Sequence, residues 1–168
     1  MSPMQSPRLF YLGLVLFCSA LLGFGFYLQF SRGLEPCPLC IFQRLAFMGV
    51  ILFAAIGLVH GPRRPWLALY SSLITLSAVA GMGIAGRQVW LQHLPADQVP
   101  ECGPGLDYML QVFPLSQTLK MVFTGSGECA EVHWRFLGLS IPEWSLLCFT
   151  LIAAVALVHA LKGERRLG

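Results

Sequence analysis

Four stretches of this 168-residue chain carry no Asp, Glu, Lys or Arg, and each approaches the roughly 20 residues that a helix needs to cross a bilayer. They run Leu9–Ser31, Leu45–Pro62, Pro65–Gly86 and Trp144–Leu161. With their flanks they predict transmembrane helices over about 9–31, 41–62, 65–88 and 143–161, within one integral membrane domain covering 1–168. Composition agrees, since 56% of residues are hydrophobic and 11% charged, far from soluble averages. The expected fold is an all-α membrane protein, an antiparallel four-helix transmembrane bundle with a long loop between helices three and four. The first apolar run is too long for a secretory signal and lacks a small-residue cleavage site. Phe17 is too bulky to precede a lipoprotein cysteine at Cys18, which reads as helix filler.

Charge sets the orientation, because Lys and Arg in short loops resist translocation. Arg8, Arg63, Arg64, Lys162, Arg165 and Arg166 fall on one side of a four-pass chain, which is therefore cytoplasmic along with both termini. Seven of the eight acidic residues lie opposite. The net charge of +3 is a topogenic bias, and nucleic acid is not an expected partner. Outer loops are expected over about 32–40 and 91–142. The second is long enough to be functional or disordered. Within it, YMLQVFPLSQTLKMVF is broken by Pro114 and reads either as an interfacial helix over about 107–123 or as a segment packed on the bundle's outer end.

The six cysteines divide by environment. Cys18 and Cys148 lie within apolar spans, whereas Cys37, Cys40, Cys102 and Cys129 fall on the outer side, where disulfides persist. Three pairings are formally possible, and local bridging gives Cys37–Cys40 with Cys102–Cys129. Zinc would need a second short cysteine pair, which is missing, and Ile41 after Cys40 excludes a haem-attachment motif. Two purely structural bridges remain an alternative. Three features favour redox chemistry. Cys-x-x-Cys closes so small a ring that it staples poorly and is easily reduced. Cys40 stands at the expected start of helix two, which favours a thiolate. Arg44 follows one turn later on the same face, where it either snorkels or supports an anion or a bound acceptor.

A dithiol that turns over must pass two electrons onward. The sequence carries no dinucleotide fingerprint, Walker loop or haem motif, so a quinone dissolved in the bilayer fits best. His93, just past helix three, is placed to hydrogen-bond such a ring, with Arg87 a weaker candidate; either could instead be an interfacial anchor. His60 and His159 lie at the inner helix ends and receive no role.

These features together resemble a known family. Four spans, CPLCIFQR before helix two, a long loop holding Cys102 and Cys129, and GSGECAEVHWRFLGLSIPEW leading into helix four are similar to DsbB proteins over essentially the whole chain. The resemblance implies a bacterial inner-membrane thiol:quinone oxidoreductase that reoxidises a periplasmic DsbA-like thiol oxidase, using ubiquinone or menaquinone without metal, haem or flavin. It implies that Cys102 forms the mixed disulfide with the partner, that Cys129 attacks Cys37, and that Cys40 faces the quinone with Arg44 and His93 beside it. The alternatives are a vitamin K epoxide reductase-like enzyme, which differs in helix count and loops, and a scaffold held by two stapling disulfides.

Overall fold

The computed structural model describes residues 7–62, 66–95, 97–100, 106–132 and 134–165. Four long helices dominate: α1 (Pro7–Arg32), α2 (Pro38–His60), α3 (Trp66–Gln92) and α7 (Ile141–Arg165). All four are long and apolar enough to cross a membrane. The chain is therefore an all-α membrane bundle. Between α3 and α7 lie α4 (Leu106–Val112), α5 (Leu115–Thr124), the single turn α6 (Gly127–Ala130), and a two-residue hairpin of β1 (Arg135–Phe136) and β2 (Leu139–Ser140).

Helix α2 begins at Pro38, earlier than the expected residue 41, because Cys37 is extended and proline has no N–H to satisfy in a first turn. It ends at Gly61, whose left-handed φ of 58° lets its N–H reach the Gly57 carbonyl. Packing proceeds from α1 to α2, α2 to α3 and α3 to α7. Helices α1 and α7 also meet at the end away from Cys37, where Phe10 stacks on His159 with ring centres 4.2 Å apart. His60 and His159 bond Tyr70 and Ser71 at that end, remote from the cysteine loop.

The bundle core is built from Tyr11, Leu14, Cys18, Phe47, Val50, Ala54, Ile74, Ala78, Ala85, Phe149, Ile152 and Ala156. Cys18 is fully buried there, as a filler residue would be. Helix α3 turns Ser71, Ile74, Ala78, Gly81 and Ala85 inward, a mostly small-residue seam at helical spacing that lets α7 approach closely. Phe149 fills the space above Gly81 and stacks on Phe47 of α2, ring centres 4.0 Å apart.

The segment 108–123 is helical and breaks at Phe113–Pro114, as the proline predicts. Met109, Thr118 and Val122 are buried against the bundle end, while Tyr108, Leu110, Val112, Leu115 and Phe123 are exposed. One face thus packs on the bundle and the other remains open. The hairpin was not expected from the sequence. Its turn places Leu137 and Gly138 at φ of 51° and 84°, the two positive values that a tight primed turn requires. Ser140 then starts α7, its N–H bonding Glu143 Oε2 at 2.6 Å in half of a capping box.

Any side chain at Gly81 runs into the Phe149 ring. Gly81→Ala should therefore lower stability by about 1–3 kcal/mol through overpacking. Thermal unfolding in detergent measures this, and adding Phe149→Leu should recover most of the loss. An unchanged Tm for Gly81→Ala would contradict the seam.

Candidate active site

The site is assembled by a second hydrophobic cluster at the loop end of the bundle. Leu39 of α2, Leu91 of α3, Met109 of α4 and Val122 of α5 close over Cys37 and Cys129. Burying each such side chain contributes about 1.5–3 kcal/mol. Thr118 Oγ1 donates to the Met109 carbonyl at 3.1 Å, tying α5 to α4. Arg87 then holds α5 to α3: its guanidinium donates to the Phe123 and Thr124 carbonyls at 3.1 and 2.8 Å and lies over the Trp90 ring. A cation at a helix C-terminus satisfies orphan carbonyls and the helix dipole. The structure thus gives Arg87 a loop-fastening contact. Gly125 ends α5 at φ 87°, where a Cβ would strike Leu91.

Past that glycine, Ser126 precedes α6 and places Cys129 against the start of α2. Cys129 is 1% exposed, and its sulfur accepts hydrogen bonds from the Cys37 thiol and the Leu39 backbone N–H. The sequence assigned the N-terminal donors of α2 to Cys40. The Cys37 N–H bonds the Cys40 sulfur, and another of these donors, the Leu39 N–H, also reaches Cys129.

The Cys37 and Cys40 sulfurs lie 3.0 Å apart, so the two residues of the expected Cys37–Cys40 bridge are side by side. Cys102 lies outside the described residues, as does its expected bridge to Cys129. Cys37 is therefore the middle member of three sulfurs, within hydrogen-bond reach of Cys40 on one side and Cys129 on the other. Gln88 of α3 was missed by the sequence reading. Its Nε2 lies 3.2 Å from both the Cys37 and Cys40 sulfurs, and its Oε1 accepts from Gln43 Nε2 at 2.7 Å. Two buried carboxamides in apolar spans were the available signal, since polar groups there need partners.

Cys37 and Cys40 open onto a cavity of about 660 Å³ between the loop-side ends of α1, α2, α3 and α7. Its walls are mostly apolar, including Leu22, Phe24, Leu28, Phe47, Ile141 and Trp144; Gln43, Arg44, Gln88, Gln92 and Ser140 add polar atoms, and Glu35, Glu128 and Glu131 add carboxylates. Arg44 is tied to α1, donating to Gln29 Oε1 at 2.6 Å and the Gly25 carbonyl at 3.3 Å, 4.8 Å from the Phe26 ring centre. The guanidinium has five N–H donors, more than these two bonds use. His93 is not among the lining residues; its Nδ1 lies 2.8 Å from the Val89 carbonyl of its own helix. Its neighbour Gln92 lines the cavity instead, held by Ser140 Oγ at 2.8 Å.

Charge is divided unequally along the three sulfurs. The Cys37 hydrogen bond, helped by the Leu39 and Ser126 N–H groups and opposed by burial, holds Cys129 down to about 6. The contact with Cys129, then that with Cys40, then burial push Cys37 well above the ordinary thiol range. At neutral pH the reduced chain therefore holds Cys129 as thiolate and Cys37 as thiol. Iodoacetamide labelling of Cys129, read by mass spectrometry, should be level above about pH 6 and fall tenfold per unit below it. Cys37→Ala should move that midpoint upward, toward an ordinary thiol. A midpoint unchanged by Cys37→Ala would contradict the shared hydrogen bond.

The family model described as "Disulfide bond formation protein DsbB" matches residues 7–159. The chain is 50% identical over 153 residues to "Disulfide bond formation protein B" of Aromatoleum aromaticum, covering 91% of this chain and 92% of that relative. It is 48% identical over 162 residues to the protein of the same name from Methylococcus capsulatus, covering 96% and 99%. A third of that name, from Marinobacter nauticus, is 50% identical over 151 residues, covering 89% and 90%. The chain, with its four apolar helices and its three gathered sulfurs, thus belongs to the DsbB family of disulfide bond formation proteins.

Proposed function

We propose that the protein is a thiol:quinone oxidoreductase of the bacterial inner membrane that reoxidises a periplasmic DsbA-like dithiol oxidase. The observation that carries this reading is the order of the sulfurs: Cys129 from the loop, Cys37 in the middle, Cys40 on the wall of an apolar cavity. Electrons entering at the loop have a contact route to the cavity. A flat, apolar ring with polar oxygens suits walls of Phe24, Leu28 and Phe47 with Arg44 and Gln92 as donors. A ubiquinone or menaquinone bound there would supply the two-electron sink.

The chain's own residues perform the exchanges. The partner's thiolate attacks the Cys102–Cys129 disulfide at Cys102, forming a mixed disulfide and releasing Cys129 as a thiolate. Cys129 attacks Cys37 of the Cys37–Cys40 disulfide; the Cys129–Cys37 bond forms, and Cys40 leaves with the electron pair of the broken bond. With Cys37 held in the disulfide, the Leu39 and Ser126 backbone N–H groups remain as donors to Cys129 and favour its thiolate as the nucleophile. Cys40 thereby becomes an anion facing the cavity. Arg44, anchored to α1, directs its remaining donors there and neutralises charge. The cysteine loops would face the periplasm and both termini the cytoplasm.

The purified chain should oxidise a reduced periplasmic dithiol protein only when quinone is supplied. Cys102→Ser should abolish that reaction while Cys37 and Cys40 still exchange electrons with quinone, because they lie downstream. Arg44→Gln should raise the KM for quinone about tenfold or more and leave the KM for the protein partner within twofold. Normal partner oxidation by Cys102→Ser, or an unchanged quinone KM in Arg44→Gln, would overturn the corresponding role.

A further inference from the structure

The carboxamide of Gln88 is not accounted for by packing alone. It is 3% exposed, sits on α3 and reaches across to two sulfurs of another element. Its two N–H bonds have two acceptors at equal distance, 3.2 Å to each of Cys37 and Cys40. Its orientation is set by Gln43, which donates to its Oε1 at 2.7 Å and is itself 4% exposed. A buried amide turned to give its donors to sulfur has a purpose that a merely satisfied amide lacks. Sulfur in a thiol is a weak acceptor, whereas a thiolate is a strong one.

We propose that Gln88 is a catalytic hydrogen-bond donor to the Cys37–Cys40 couple and that Gln43 is the positioning residue that orients it. The assignment rests on the relay reading above. When Cys129 attacks Cys37, the Cys37–Cys40 bond breaks and its electron pair goes to Cys40. Negative charge then develops on a sulfur inside an apolar wall, away from bulk water. Gln88 meets that charge with a donor fixed before the reaction, so no solvent need reorganise. The same donor favours the open, reduced couple over the disulfide, making the couple more oxidising. Sequence spacing fits this pairing, since Gln43 follows Cys40 by one helical turn, bringing it under the Cys40 sulfur, where it can meet an α3 residue.

The test uses the full-length protein in detergent, with Gln88→Met and the double variant Gln43→Leu/Gln88→Met. The single variant leaves Gln43 without its acceptor, whereas the double variant replaces both partners by apolar side chains and preserves folding. Two quantities are read: quinone-dependent oxidation of a reduced dithiol protein, and the equilibrium of Cys37 and Cys40 against a glutathione buffer without quinone. Both variants should lose about 10- to 100-fold in kcat, the worth of a donor to a charged group, with the quinone KM within twofold. Their glutathione equilibrium should move about tenfold toward the disulfide. Gln43→Leu alone should show a smaller shift in the same direction. Turnover within twofold of wild type, or an unmoved glutathione equilibrium in the double variant, overturns the proposal. If wild type itself fails to use quinone, the quinone reading falls and the glutathione measurement alone decides the role of Gln88.

Discussion

Everything at this site depends on the docking of residues 106–132 onto the ends of α2 and α3. Cys129 is far along the chain from α3 and would be an ordinary loop cysteine without that docking. Leu39, Leu91, Met109 and Val122 supply the apolar contact, and Arg87 supplies the polar one by capping α5. Gly125 allows the chain to leave α5 in a left-handed turn directly over Leu91 and deliver α6 to the start of α2. The consequence is electrostatic as well as geometric. A helix N-terminus that would otherwise face solvent gives one of its free N–H groups to the Cys129 sulfur.

A second constraint comes from burying polar groups where water is scarce. An unpaired carboxamide or guanidinium in an apolar setting costs several kcal/mol, so each must find a partner on a neighbouring helix. Gln43 pairs with Gln88, and Arg44 pairs with Gln29 and the Gly25 carbonyl. These bonds set the register of α2 against α3 and of α1 against α2 beside the cavity. At the opposite end of the bundle, Ser71–His159 and His60–Tyr70 serve similarly. Polar pairs thus fix the helix ends, while the Gly81 seam and Phe149 fix the middle.

Much of this was legible because it follows from local rules. Charge-free runs mark the spans, Pro114 marks the break between α4 and α5, and Arg44 one turn beyond Cys40 reaches the same cavity. What was hidden depends on pairs distant in sequence. Gln88 looks like any polar residue near a helix end until Cys37, Cys40 and Gln43 are folded against it. Arg87 looked like an interfacial residue, yet its partners are carbonyls 36 and 37 positions away. His93 has the right depth, but helical rotation gives the cavity wall to Gln92. That Cys129 shares the α2 N-terminus with Cys40 was equally hidden, because Cys129 arrives there only after α4, α5 and the turn at Gly125 have folded back onto the bundle.

The relay proposed above requires Cys37 to be shared, able to bond either Cys40 or Cys129 without rearrangement of the bundle. The most direct measurement is peptide mapping of the Cys40→Ser/Cys102→Ser chain after mild oxidation in detergent. With the other two loop-side cysteines removed, Cys37 should pair with Cys129 in nearly every molecule, leaving Cys18 and Cys148 reduced. Recovery of Cys37 and Cys129 as separate thiols, or of either one bridged to Cys18 or Cys148, would contradict the account.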